Sequence, residues 1–295
     1  MSNQEAQAFG IMQMTCAMIL AGTIGFFVSK TGLPIVNVVF WRCILGGVFL
    51  SIYCYFSGGW LKGVTLANIK LLILASICLT VNWLLLFKSF DYAPISVSTV
   101  VYNTQPVILI VLAYFLFGEP LFQRRSLLLL SALVGVLLIS FGDNIFGHDQ
   151  DDFSSLYLGM TLAFVAAIFY ALITLLTRKV EGMSPALIAF FQVNIGSFLL
   201  VPFVDSTKIM TESGLIYVIV LGVVHTGVMY ILLYGAVRKI TIYSIAAISF
   251  FYPITALIID LLVFGVELTF LQYLGLVLVM CSSVSVSLIE SKRVI

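Results

Sequence analysis

Ten apolar runs of about 18 to 25 residues decide what this chain can fold into, because a helix rising about 1.5 Å per residue needs ~20 of them to cross a bilayer. They fall at roughly 9–29, 35–56, 68–90, 95–117, 125–142, 157–180, 186–203, 213–237, 242–265 and 270–289. Backbone amides in hydrocarbon have no water to bond, so segments of this kind are stable there as helices. With 62% of its 295 residues hydrophobic and 9% charged, the chain has no room for a soluble domain. The expected fold class is an all-α integral membrane protein of ten transmembrane helices.

The longest polar connection, Asp143–Ser155, separates two halves of five runs each. The expected units are therefore 1–142, an external linker 143–156, and 157–295. Met1–Ala8 carries one Glu and no Lys or Arg, so the run from Phe9 reads as a retained span rather than a signal peptide. Cytoplasmic loops accumulate Lys and Arg. Placing the N-terminus inside puts ten on that side: Lys62, Lys70, Arg124, Arg125, Arg178, Lys179, Arg238, Lys239, Lys292 and Arg293. Lys30, Lys88 and Lys208 then face outward, with the acidic run Asp143, Asp149, Asp151 and Asp152. Both termini are expected in the cytoplasm, and a bacterial-type inner membrane is the expected location. The paired charges at 124–125, 178–179 and 238–239 read first as orientation anchors. Cys16, Cys43, Cys54, Cys78 and Cys281 lie inside apolar runs without a C-x-x-C pair and read as simply buried.

Sliding the chain by 147 residues lays Phe87–Pro106 over Tyr234–Pro253, Phe117-Gly118 over Phe264-Gly265, and Gly135 over Ser282. Glu119 meets Glu267 after a one-residue shift. The halves form an internal repeat, and an odd number of spans in each inverts the second relative to the first, the plan of many secondary transporters. Pro106 and Pro253 each lie about 11 residues, or ~17 Å, into their spans. Each removes one intrahelical bond and frees the carbonyl of Tyr102 or Ser249. They read either as packing kinks or as hinges with open backbone at a midplane site.

The segments NWLLLFKSFDYAPISVSTVVYNTQP followed by FGEP, and YILLYGAVRKITIYSIAAISFFYP followed by FGVEL, carry a resemblance to the EamA-like ten-helix transporters of the drug/metabolite transporter superfamily. The resemblance covers nearly the whole chain. It implies a central cavity lined mainly by spans 1, 3, 4, 6, 8 and 9, open alternately to either side, with spans 5 and 10 at the periphery. The small four-helix relatives couple to protons through a Glu in their first span, and here that span has no acid.

Helical spacing places Ser98, Tyr102 and Gln105 on one face of span 4, with Asn103 beside them. Tyr170, Thr174 and Thr177 repeat that spacing in span 6, and Ser249, Tyr252, Ala256 and Asp260 form a stripe in span 9. Trp83, at mid-depth in span 3 beside Asn82, lies away from the interfacial belt. With Phe87 and Phe90 it reads as helix packing, or, with Tyr102, Tyr230 and Tyr252, as an aromatic pocket for cationic amines or amphipathic solutes. The candidate substrate-binding set is Asn82, Trp83, Tyr102, Asn103, Gln105, Tyr170, Thr174, Tyr230, Ser249 and Tyr252.

The candidate coupling or gating groups are Arg42, Lys88, Asp91, His225 and Asp260, and the hinges Pro106 and Pro253. Arg42, ~10 Å into span 2, snorkels outward, pairs with Asp260, or holds an anionic substrate group. His225 reads as a cross-helix hydrogen-bonding group or a proton relay, and no second ligand on its helix suits a metal. Lys88 and Asp91 read as a boundary pair or an outer gate.

The expected function is a secondary transporter of a small organic metabolite, such as an amino acid, amine or drug-like solute, in the export direction. An uptake carrier, a lipid-linked sugar or nucleotide-sugar translocator, an intramembrane enzyme and a channel are the alternatives. No G-x-S-x-G, H-E-x-x-H, paired mid-span aspartates, carbonyl filter or phosphate-binding loop occurs. No cofactor and no metal are expected. The expected partners are the solute and membrane lipid, a homodimer being open to such a chain, and a net charge of +1 gives no reason to expect nucleic acid.

Overall fold

The computed structural model describes residues 3–57, 61–93, 95–118, 124–141, 153–207, 212–264 and 269–291. Its helices are α1 (Asn3–Ser29), α2 (Ile35–Phe56), α3 (Leu66–Ser89), α4 (Ile95–Tyr102), α5 (Gln105–Phe117), α6 (Arg124–Phe141), α7 (Phe153–Arg178), α8 (Pro185–Leu200), α9 (Glu212–Gly222), α10 (Met229–Val237), α11 (Ile242–Ser249), α12 (Phe251–Phe264) and α13 (Phe270–Ser291). Among the described residues there is no strand. Three spans are interrupted, α4–α5, α9–α10 and α11–α12, so the helices make the ten expected spans. Among the described residues six helical stretches, α1, α2, α3, α7, α8 with the turn after it, and α9–α10 taken together, are long and apolar enough to cross a membrane, and Gln105–Phe117, Ser126–Leu138, Ile242–Ala256 and Phe270–Val286 are shorter apolar helices. α1 starts six residues before the expected Phe9. The acidic residues of the expected linker lie outside the described residues, as do Lys208, Glu119, Glu267, Lys292 and Arg293.

Large apolar side chains cover the outside: Phe56 is 81% exposed, Phe115 73%, Leu262 75% and Phe270 80%. In water such a surface would drive aggregation, whereas lipid tails solvate it at no cost. Cys16 and Cys281 belong to this surface, which corrects the expectation that all five cysteines are buried; Cys43, Cys54 and Cys78 are interior. Their sulfurs suit either setting, since lipid is as apolar as a core.

Side-chain caps start the spans. Thr65, Ser184 and Thr241 each accept from the backbone N–H three residues on, at α3, α8 and α11. Before α13, Thr269 and Gln272 cap each other reciprocally, Oε1 of Gln272 accepting from the Thr269 amide at 2.8 Å.

The packing is self-consistent under exchange of the two halves. α1 packs on α10 and α12, and its counterpart α7 packs on α3 and on α4–α5. α2 meets α9 and the turn after it, as α8 meets α3. α2 meets α8, α5 meets α11 and α6 meets α13, each span against its own counterpart. These contacts describe a pseudo-twofold axis. Because each half has an odd number of spans, that axis lies in the membrane plane.

Small residues let the spans close. A Cβ on Gly46 of α2 would sit 2.6 Å from Thr226 Cγ2 and 2.9 Å from the Gly222 carbonyl, and one on Gly196 of α8 would sit 2.9 Å from Thr80 Oγ1. The same close crossing occurs in both halves. Gly63 and Gly182, both at positive φ, turn the chain after α2 and α7 and pack face to face. There Asn68 Nδ2 ties the halves together, donating to the carbonyls of Gly63 and Glu181 at 2.8 Å each.

Candidate functional site

Two helix breaks create the interior site. α4 ends at Tyr102, where Asn103 and Thr104 fold back on Thr99 and Val101, and α5 begins at Gln105 with Pro106 in its first turn. α11 ends at Ser249, whose Oγ donates to the Ile245 carbonyl at 2.8 Å, and α12 resumes at Phe251 with Pro253 as its third residue. The proline ring cannot donate the ladder bond, so in each span the helix restarts just before it. The breaks divide the expected stripes, separating Tyr102 from Gln105 and Ser249 from Tyr252.

Between the breaks lies a cavity of about 760 Å³ of empty space, open solvent at its mouth included. Trp83, Tyr102, Asn103, Gln105, Tyr170, Tyr230, Ser249 and Tyr252 line it. Spans 1, 3, 4, 6, 8 and 9 all contribute, and α2 adds Arg42. α6 and α13 contribute nothing to the lining and pair with one another, Ser131 and Ser282 sharing a 2.7 Å hydrogen bond.

Asn82 and Thr174 do not line the cavity. Asn82 sits behind the wall, its Nδ2 donating to Tyr102 Oη at 3.2 Å and to the Ala166 carbonyl at 2.7 Å, so it positions the tyrosine. Thr174 donates back to the Tyr170 carbonyl within α7 at 3.1 Å. The apolar lining residues Met18, Ile24, Met229 and Leu233 were not anticipated, since nothing distinguishes an apolar side chain facing a cavity from one facing a helix.

The aromatic wall is ordered by edge-to-face contacts. Trp83 meets Tyr230 at 6.0 Å and 89°, and Tyr102 meets Tyr170 at 6.0 Å and 73°. Trp83 and Tyr230 are 147 residues apart, so this contact joins equivalent positions of the two halves across the pseudo-axis.

Arg42 is fully buried, which rules out the snorkelling expected as one alternative. Its Nε donates to Thr226 Oγ1 at 3.0 Å, and its guanidinium carbon lies 4.3 Å from the centre of the Trp83 ring. Thr226 is placed by a π-helical turn, Val223–Val228, in which its hydroxyl donates to the Leu221 carbonyl five residues back at 2.8 Å. Such a turn inserts one residue, and the sequence carries no signature of it beyond small shifts in repeat register. Asp260 lies on α12, and its side chain is outside the described residues.

His225 occupies the same π-turn but does not line the cavity. Its Nε2 meets Thr23 Oγ1 at 2.7 Å and its Nδ1 the Val220 carbonyl at 3.3 Å, linking α10's span to α1. Lys88 and Asp91 form a 2.8 Å ion pair, about half exposed on each side, at the end of α3 away from the cavity floor.

Gln192 of α8 was not singled out from the sequence, yet it holds the position equivalent to Arg42. V-V-F-W-R-C-I-L-G-G at 38–47 aligns with I-A-F-F-Q-V-N-I-G-S at 188–197. Gln192 is fully buried and satisfied: Nε2 donates to Thr177 Oγ1 at 3.2 Å and Oε1 accepts from Tyr234 Oη.

Ten helical spans in two repeats, with a cavity between paired helix breaks, define a polytopic membrane protein. The EamA-like transporter family model matches residues 8–141 and 157–288, one match for each half. The chain belongs to the EamA-like transporter family. It is 30% identical over 286 residues to the uncharacterized transporter YxxF of Bacillus subtilis (strain 168), covering 94% of this chain and 88% of that protein. An uncharacterized transporter of Archaeoglobus fulgidus is 23% identical over 270 residues, covering 90% of this chain and 92% of its own. A solved crystal structure superimposes with a TM-score of 0.82 at 16% identity, covering 95% of this chain and 98% of the other, which shows the shared fold.

Proposed function

We propose that this transporter is a secondary carrier that moves a small organic metabolite, in the export direction, by alternating exposure of the central cavity. The observation that carries the reading is the position of the cavity. It lies between the two repeats at matched helix breaks, where rocking of one half against the other would open it to each side in turn. We also propose that the chain sits in the cytoplasmic membrane with both termini inside, following the loop charges.

On that orientation the lining runs outward to Phe90, at the outer end of α3. The inner end is closed by contacts between the halves. Lys239 Nζ donates to Gln13 Oε1 at 2.7 Å and lies over the Phe9 ring, and within the second half Arg178 reaches the Ile240 carbonyl and Arg238 the Met183 carbonyl. Burial pushes the Lys239 ammonium below its usual pKa. This arrangement supports an outward-facing state held by an inner clamp. Lys239→Ala is expected to shift the population toward the inward-facing state, seen as faster modification of a cysteine at Met18 by a thiol reagent from the cytoplasmic side.

The transport reading is tested in proteoliposomes preloaded with unlabelled amino acids, amines or dicarboxylates. Saturable uptake of the labelled solute, accelerated by the same solute inside, is expected. Flux that neither saturates nor shows counterflow would indicate a channel, and release of a cleaved product an enzyme.

A further inference from the structure

We propose that Arg42 receives the anionic group of the solute, so that the cavity takes a carboxylate-bearing molecule with an apolar or aromatic body. This inference rests on reading the cavity as the transport site. Arg42 lines the cavity and is fully buried, and among the described residues its Nη1 and Nη2 have no hydrogen-bond partner. The bond from Nε to Thr226 and the ring of Trp83 fix the plane of the guanidinium. What they leave open is the terminal fork, whose paired N–H groups match the two oxygens of a carboxylate.

A cation left unpaired in a water-poor interior is unfavourable, and among the described residues no carboxylate lines the cavity to neutralise it. The repeat supplies an internal control. At the equivalent position the second half has a neutral Gln192, whose amide is satisfied by Thr177 and Tyr234. The architecture therefore does not require a charge there, and the first half carries one whose fork points to a ligand. Most of the remaining lining is apolar, including Met18, Ile24, Leu86, Phe87 and Leu233, the kind of wall that holds the body of a small organic solute. An amine would meet repulsion from Arg42, with no acid among the described lining residues to offset it.

Because Nη1 and Nη2 are enclosed, the carboxylate reaches them as the Trp83 ring turns aside. Trp83 thus reports binding. The test uses the purified full-length chain, with Trp41→Phe and Trp60→Phe so that Trp83 alone fluoresces. The probes are phenylacetate, phenylalanine, benzylamine and inorganic phosphate.

Phenylacetate is expected to raise the melting temperature and alter Trp83 emission, whereas benzylamine does neither and phosphate, lacking a body, binds weakly. If phenylalanine acts as well, amino acids belong to the accepted class; if it does not, the site prefers simple organic acids. Arg42→Gln is expected to fold with unchanged or higher ligand-free stability and to lose about tenfold or more in carboxylate affinity. Arg42→Lys, keeping the charge without the fork, is expected to fall between.

Preference for benzylamine, carboxylate affinity unchanged in Arg42→Gln, no binding by either carboxylate, or a marked loss of ligand-free stability in Arg42→Gln each overturns the proposal. Benzylamine transported with counterflow would overturn it and leave the carrier reading standing. Carboxylate binding that depends on Arg42, without counterflow of any solute, would do the reverse.

Discussion

Gly46→Leu is expected to yield a chain that inserts into the membrane but does not assemble. Even the first atom of the new side chain would lie 2.6 Å from Thr226 Cγ2 and 2.9 Å from the Gly222 carbonyl. Relief requires α2 to move away from the π-turn, breaking the Arg42–Thr226 bond with it. Overpacking costs about 1–3 kcal/mol where neighbours can yield, and more is expected here because one neighbour is backbone. The check is monodispersity and melting temperature after detergent extraction. Gly32→Ala, whose site has open space but positive φ, should show a much smaller loss.

Pro106→Ala combined with Pro253→Ala is expected to leave a folded protein that transports about tenfold more slowly or worse, equivalent to about 1.4 kcal/mol on the rate-limiting step. Alanine restores the missing backbone donors and favours continuous helices through 102–106 and 249–253. The open backbone beside Tyr102, Asn103, Gln105, Ser249 and Tyr252 would then close, and the halves would lose their matched bends. Initial rates in proteoliposomes, normalised to reconstituted protein, decide the point. An undiminished rate would reduce both prolines to packing kinks.

The spans were legible because length, apolarity and loop charge are properties of contiguous sequence. The helix breaks were legible because proline announces them, although the extent of each break, Asn103-Thr104 in one and Phe250 in the other, was not. Tyrosines and polar residues near the midplane pointed to the cavity wall, since polar groups in hydrocarbon need a reason to be there. Asn82 and Thr174 share that signal and lie off the cavity, because a backbone carbonyl on the same or a neighbouring helix takes a buried amide N–H or hydroxyl donor as well as a solute does. Arg42 showed that depth alone does not dictate snorkelling: Thr226, delivered by a π-turn that hydrophobic pattern cannot reveal, holds it inside. The Gln192, Tyr234 and Thr177 cluster went unread because its meaning depends on pairing across helices.

Two-sided access to the cavity tests the account most directly. In a variant with Cys16, Cys43, Cys54, Cys78 and Cys281 replaced, a single cysteine at Tyr252, on the cavity wall, is compared with one at Leu262, which is 75% exposed on the outer surface of the same helix. A membrane-impermeant thiol reagent is expected to label the cysteine at 252 from the outside and, after the inner clamp is loosened by Lys239→Ala, from the cytoplasmic side as well, with the cysteine at 262 labelled from neither. Labelling at 252 from one side alone in both backgrounds, or from neither, would contradict alternating access through this cavity.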